Sequence, residues 1–171
     1  MHGETLTLRR LRPGDEPALR RAHRAMAVEG FTFGLGYEQD MAFDDYLDLL
    51  ERQHHGIDLP PRWVPSTFLV ADVGGEVVGR ASIRHELNEF LATEGGHIGY
   101  GVLRQHRRRG YATEILRRSV DLARGLGIER VLVTCDDDNV GSATVIERCG
   151  GVFESHIVGS GGKPMRRYWI G

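Results

Sequence analysis

Four arginines and a histidine crowd into RQHRRRGYA, residues 104–112, before the chain changes to glycine and small side chains. Such a run could grip a nucleic acid, hold a phosphorylated ligand, or simply keep a helix start in water. Its position discriminates between these uses. HIGYGVL just before it reads as a strand. GYATEILRRSVDLARGLG just after it carries Ala112, Ile115, Leu116, Ser119, Leu122 and Ala123 at helical spacing and ends on glycine. Backbone N–H groups at a helix start lack internal acceptors and carry partial positive charge. With arginines around them they form a seat for phosphate or diphosphate. Gly110, lacking a Cβ, and the small Ala112 let a bulky anion approach the backbone. Neither Gly-x-x-x-x-Gly-Lys-Ser/Thr nor Gly-x-Gly-x-x-Gly occurs, so two familiar phosphate loops are excluded.

Composition narrows the choice further. A chain of 171 residues with 40% hydrophobic content suffices for one compact domain, expected over 1–171. Its net charge of −2, and the lack of aromatics interleaved with the arginines, argue against a general affinity for nucleic acid. The longest apolar runs, such as FLVA and VLV, are far short of the roughly 20 residues a spanning helix needs, so no membrane partner is expected. MHGETLTLRRL shows no apolar leader with a small-residue cleavage site. Two cysteines, Cys135 and Cys149, make no disulfide framework and lack metal spacing, and a reducing cytoplasm is the simplest setting.

The elements that must position the basic turn follow from periodicity. ETLTLRRL alternates as a strand. GDEPALRRAHRAMAVEG reads as a helix capped by Asp15, with Pro17 in its first turn and Gly30 as its stop. DMAFDDYLDLLERQHHG is a second helix ending at Gly56, and the prolines of IDLPPRWVPS enforce a loop. TFLVADV and EVVGRASIRH are strands joined at Gly74-Gly75. RVLVTC is a buried strand, NVGSATVIERCGG a helix capped by Asn139, and GVFESHIV with KPMRRYWI a closing hairpin. The order is β-α-α-β-β-β-α-β-α-β-β, a mixed α/β or α+β sheet. A terminal strand such as 163–170 offers an edge at which a second copy could pair into a homodimer.

Arg107-x-x-Gly110-x-Ala112 after Val102 resembles the diphosphate signature Arg/Gln-x-x-Gly-x-Gly/Ala of the GNAT N-acetyltransferase superfamily. The helix NVGSATVIERCGG is similar to the Asn-x-x-Ala/Ser helix of the same superfamily, and the element order matches nearly the whole chain. GGHIGYGV, RRRGYATEILR, CDDDN, VIERCGG and RRYWI resemble a bacterial group of acetyltransferases of unassigned substrate. The resemblance implies an α+β fold with a mostly antiparallel seven-stranded sheet whose fourth and fifth strands splay apart. It implies acetyl-CoA as acetyl donor, lying in that splay, and an amine of a small molecule, peptide or protein as acceptor. Carried over by position, Tyr100, Val102 and Leu103 would meet the pantetheine arm. Backbone groups of Arg107, Arg108, Arg109, Gly110, Tyr111, Ala112 and Thr113 would hold the diphosphate, with Arg104 and Arg108 able simply to face water, and Asn139 and Ser142 would flank the arm. Asn139 equally suits a plain helix cap, and one residue can serve both roles.

The reaction so implied is direct transfer without a covalent enzyme intermediate, which leaves both cysteines as core or near-core thiols. Two positions depart from the family pattern. The usual late-helix tyrosine acid is Ile146, and the usual bases on the fourth strand are Ile98 and Gly96. Tyr100 becomes the first candidate acid or positioning group, and His85 and Glu86, ending the preceding strand, are candidates for a water-linked base. His97 falls on the other face, in a structural or surface role. Asp136, Asp137 and Asp138 form an acidic turn that could draw in a cationic amine; the calcium-loop pattern is absent and no metal is expected. Phe43, Tyr46 and Trp63 could shape an acceptor pocket or pack the core. Because the acid and base positions are unfilled, a non-catalytic acyl-CoA sensor is the competing expectation.

Overall fold

The computed structural model describes residues 3–171. Strand β1 (Leu6–Arg9) leads to helices α1 (Glu16–Ala27) and α2 (Phe43–His55). The hairpin β2 (Ser66–Val73) and β3 (Glu76–Arg84) follows, then β4 (Ile98–Val102) and α3 (Tyr111–Gly125). The chain ends with β5 (Val131–Asp136), α4 (Val140–Arg148) and the hairpin β6 (Val152–Val158) and β7 (Pro164–Ile170). No helix among the described residues is long and apolar enough to cross a membrane.

Local chemistry accounts for most boundaries. Gly74 and Gly75 both hold positive φ, 61° and 89°, as a two-residue turn between twisted strands requires. Gly56 ends α2 in the left-handed region, its amide reaching Arg52 and Gln53 carbonyls. Asp15 stands at the N-cap of α1 but does not cap it with its side chain. Its carboxylate instead accepts from the Arg12 amide at 2.7 Å and pairs with Arg9 at 2.7 Å, fastening β1 to the turn ahead of the helix.

All strand pairings are antiparallel, in two groups ordered β1-β2-β3-β4 and β5-β7-β6. The groups meet where β4 and β5 begin. There the His97 amide donates to the Leu132 carbonyl at 2.8 Å, and the Leu132 amide donates to His97 Nδ1 at 2.9 Å. Beyond this staple β4 and β5 have no ladder between them, which is the splay. His97 is therefore a buried structural residue in the seam. The terminal strand is not an edge: β7 lies between β5 and β6, and β6, with Val152, Phe153 and Val158 exposed, is the free margin.

Helices α1 and α2 cover one face of the first sheet, with Leu19, Phe43 and Tyr46 against Phe68 and Val70. Phe43 and Tyr46 are thereby core residues. Helix α3 covers the opposite face and spans both sheets, its Leu116 and Val120 packing with Ile83 and Ile98 on one side and Val131 and Val133 on the other. Ile115 and Leu116 are fully buried, each stabilising the fold by roughly 1.5–3 kcal/mol. That packing sets the start of α3 at the mouth of the splay. Ile146 is buried in the same core.

Candidate active site

The turn into α3 is built to leave amides free. Gly110 is its N-cap, at φ 82°, and no side chain caps the helix. Glu114 is the first residue whose amide bonds back, to Gly110 at 3.2 Å, so the amides of Tyr111, Ala112 and Thr113 have no acceptor within the helix. Arg108 also lies in the left-handed region, at φ 61°, a conformation costing a non-glycine residue about 1–2 kcal/mol. Turns of this kind converge successive amides on an anion. A Cβ on Gly110 would meet no other atom within 4 Å, so the backbone conformation is what demands glycine there, and the space beside it is open.

The arginines divide their work. Arg107 donates from Nε to the Val102 carbonyl at 2.9 Å and forks onto Glu29 at 3.0 and 2.6 Å. The guanidinium holds the Glu29 carboxyl below its ordinary range. Arg107 thus clamps the turn to the end of β4 and to the exit of α1, and its side chain is occupied. Arg108 lines the cleft beside the turn, whereas Arg109 and Arg104 are exposed outside it. Leu103 is buried in the core beneath α1, away from the cleft.

The cleft itself encloses about 650 Å³ between Tyr100 and Val102 of β4, Gly110 to Thr113, and Asn139 and Ser142 at the start of α4. The Leu103 amide bonds to Val78 across the β3–β4 pair, so odd-numbered residues of β4 point their amides toward β3. By alternation the amides of Tyr100 and Val102 point into the splay, where the Val102 carbonyl meets Arg107. Asn139 caps α4, its Oδ1 accepting from the Ser142 amide at 3.1 Å. Tyr100 and Ser142 share a hydroxyl–hydroxyl hydrogen bond of 2.7 Å, and burial pushes the phenol up to about 12. Burial also raises both cysteines, so Cys135 and Cys149 stay thiols, the latter donating weakly to the Thr113 carbonyl.

His85 and Glu86 are not brought to this cleft. His85 Nε2 lies 2.7 Å from Thr67 Oγ1, which in turn lies 2.9 Å from His54 Nδ1, and Glu86 is exposed. The acidic turn is internally satisfied at Asp137, which binds Arg166 at 2.7 Å and His156 at 3.1 Å. Two features escape sequence patterning. Glu29 is set against Arg107 by a contact between residues 78 apart in the chain. Arg80 and Arg84 share a face of β3 with Ser82, a polar file at two-residue spacing in a strand that after Glu76 is otherwise apolar, and that spacing was the available signal.

An acetyltransferase (GNAT) domain model matches residues 5–152, and the chain belongs to that family. Its fold recurs in Mycobacterium smegmatis RimJ in complex with CoA-disulfide, at TM-score 0.72 and 18% identity over 96% of this chain and 81% of that one. Spermidine N-acetyltransferase from Vibrio cholerae, in complex with CoA and spermine, aligns at TM-score 0.66 and 20% identity over 96% and 94%. An acetyltransferase from Agrobacterium tumefaciens str. C58 is 25% identical over 98% and 92%, with TM-score 0.64. No curated protein matches the chain in sequence.

Proposed function

We propose that this chain is an acetyl-CoA-dependent N-acetyltransferase that passes its acetyl group directly to a primary amine of a small molecule or peptide. One observation carries the reading: the free amides ahead of Glu114 open onto the same cleft as the inward-facing amides of β4. The amides of residues 108 to 113 suit a diphosphate, and those of Tyr100 and Val102, with Asn139 and Ser142, suit a pantetheine arm. Bound there, acetyl-CoA supplies an acyl group already activated as a thioester.

The chain's own groups then have definite tasks. An inward amide of β4 donates to a carbonyl oxygen that gains negative charge, in a site where the donor needs no reorganisation. Tyr100 keeps its proton at Oη at neutral pH, its phenol standing at about 12. Since either oxygen of the Tyr100–Ser142 pair can be the donor, Ser142 can hold the phenol oxygen while the phenol proton faces the cleft. Full transfer to a sulfur of ordinary thiol pKa, ~8.5, would be uphill by roughly 3.5 units, about 5 kcal/mol. Tyr100 therefore acts on the departing sulfur as a hydrogen-bond donor. As the N–C bond forms and the C–S bond breaks, the proton released by the attacking nitrogen passes to that sulfur, so that thiol and amide leave with no net change of charge on the protein. On the base side, Glu29 is held by Arg107 and His106 is buried beside Glu76. The amine, with a reference pKa of ~10.4, accordingly reaches the cleft already neutral, and alignment of the reactants supplies much of the rate.

Ile146, buried where relatives place an acid, favours the sensor as the second reading. A panel of primary amines with thiol release as readout separates the two. Turnover with any amine supports the transferase, and tight CoA binding with no turnover across the panel supports the sensor.

A further inference from the structure

Strand β3 carries two guanidiniums that face no carboxylate. Arg80 is 4% exposed; its Nε donates to the Phe33 carbonyl at 3.1 Å and its Nη2 to the Thr32 carbonyl at 2.7 Å. Its guanidinium stacks on the Phe31 ring, 4.4 Å from the centroid. Nη1 is buried with no hydrogen-bond partner among the described residues. Arg84, on the same face four residues along, is half-buried and donates from Nη1 to the Gly95 carbonyl at 3.2 Å and more distantly to Gly96.

The two side chains converge on Gly99 of β4. A Cβ built there would lie 3.2 Å from Arg84 Nη1, 3.3 Å from Arg84 Nη2 and 3.5 Å from Arg80 Nη1. The bare backbone of Gly99 is thus a floor that both guanidiniums overhang. The groups around them are neutral. Tyr46 keeps its proton through burial and donates it to the Leu35 carbonyl at 3.0 Å. Burial, and then Arg84 itself, holds the His97 ring below its ordinary value. Burial depresses Arg80 to about 9, so the guanidinium remains charged at neutral pH. Buried charge is costly unless a counter-charge meets it, and here the polypeptide supplies none.

This cationic face adjoins the reaction cleft. Gly99 directly precedes Tyr100 but by strand alternation faces the other side of the sheet, so the link to the cleft runs through Gly101, on the same face as Gly99, and the Phe31 ring against it. Phe31, on which Arg80 stacks, also lines the cleft. We propose that Arg80 and Arg84 bind an oxyanion of the acceptor, so that the amine acetylated here also carries a carboxylate or phosphate within a few bonds of its nitrogen. A planar guanidinium pair suits a carboxylate or phosphate fork, whereas a polyamine would bring its second positive charge against two others. The amine part of this assignment rests on the acetyltransferase reading; the oxyanion seat rests on the geometry of Arg80, Arg84 and Gly99 alone.

The test uses the full chain, with the arginine Nε–H signals of Arg80 and Arg84 followed by NMR during titration with glutamate, β-alanine, inorganic phosphate and putrescine. KM values for the same amines are measured in parallel. An aminocarboxylate is expected to move both signals at concentrations where putrescine does not. Because Arg80 braces the 31–33 segment, Arg84 is the residue to change. Arg84→Gln should raise the aminocarboxylate dissociation constant and KM about 10- to 100-fold, the loss of a charge-assisted hydrogen bond. Arg84→Lys should recover part of that loss. Gly99→Ala, whose methyl would stand 3.2–3.5 Å from both guanidiniums and push them apart without altering charge, should weaken the same ligand while CoA affinity stays within about twofold. A stronger response to phosphate than to carboxylates supports the seat and identifies its anion as phosphate. Arginine signals indifferent to every anion, or polyamine KM values below those of aminocarboxylates and unmoved by Arg84→Gln, overturn the proposal. Anion binding without thiol release from acetyl-CoA for any amine would sink the transferase reading and leave the oxyanion seat standing.

Discussion

Gly110 offers the sharpest perturbation, because its two contributions can be separated. Its φ of 82° costs any other residue about 1–2 kcal/mol, yet a Cβ there would touch nothing. For a chain of this size Gly110→Ala should therefore lower the melting temperature by about 2–8 °C without disturbing the fold. Gly110→Glu carries the same backbone cost and adds a negative charge roughly 5 Å from a diphosphate seated on the amides. At an effective dielectric constant between about 20 and 40 that repulsion is about 2–3 kcal/mol per charge, or roughly 30- to 150-fold in affinity. Gly110→Lys shares the bulk and the strained backbone but reverses the charge. At CoA one hundred times the wild-type Kd, binding adds about 2.7 kcal/mol of stability, raising the melting temperature by roughly 5–11 °C. A hundredfold weaker Gly110→Glu would retain only about 0.4 kcal/mol, a shift of roughly 1–2 °C. Gly110→Lys should bind CoA at least tenfold more tightly than Gly110→Glu. Equal CoA-induced shifts in the glutamate and lysine variants, with folding intact by circular dichroism, would refute a diphosphate at this turn.

Two further expectations follow from the polar groups around the cleft. Tyr100→Phe should lower kcat about 10²-fold, the low end for loss of one preorganised hydrogen-bond donor, with KM for acetyl-CoA changed less than about threefold; steady-state kinetics that leave kcat intact would remove Tyr100 from the chemistry. His97, whose folded pKa lies below its ordinary 6.5, contributes stability fully present above pH 6.5 and progressively lost as pH falls toward the depressed value. Urea melts of the wild type should weaken over that acid window, to which the likewise depressed His23, His54 and His85 also contribute, and His97→Asn should reduce the dependence; a slope unchanged by His97→Asn would contradict the buried neutral ring.

Features set by neighbouring residues are legible in the sequence, and those set by distant ones are not. The Gly74-Gly75 turn, the Asn139 cap and the Gly110 start each depend on a few consecutive residues. Their conformations follow from local sterics and unpaired amides. The insertion of β7 between β5 and β6 is a choice between two arrangements of one hairpin, and alternation within either strand is the same in both. Arg107 illustrates the limit at the site. The sequence places its backbone at the proposed diphosphate seat but cannot say what its side chain does, because Glu29, 78 residues earlier, captures the guanidinium. His85 likewise ends a strand near the cleft in sequence terms, yet Thr67 and His54 hold it elsewhere. Arg80 hides for the opposite reason. The two-residue spacing of Arg80, Ser82 and Arg84 marks one polar face of β3, which reads as a solvent face until the segment that covers it, with Phe31 and Phe33, is known.

Beneath these predictions lies one physical statement, that a thioester carrier's diphosphate is gripped by main-chain N–H groups at the head of α3 while its arm runs along β4. Amide NMR of the uniformly labelled chain titrated with CoA tests it most directly. The largest displacements should fall on residues 108 to 113, with Tyr100, Val102 and Ser142 next. Displacements concentrated on any other surface, with those amides unmoved at saturation, would contradict it.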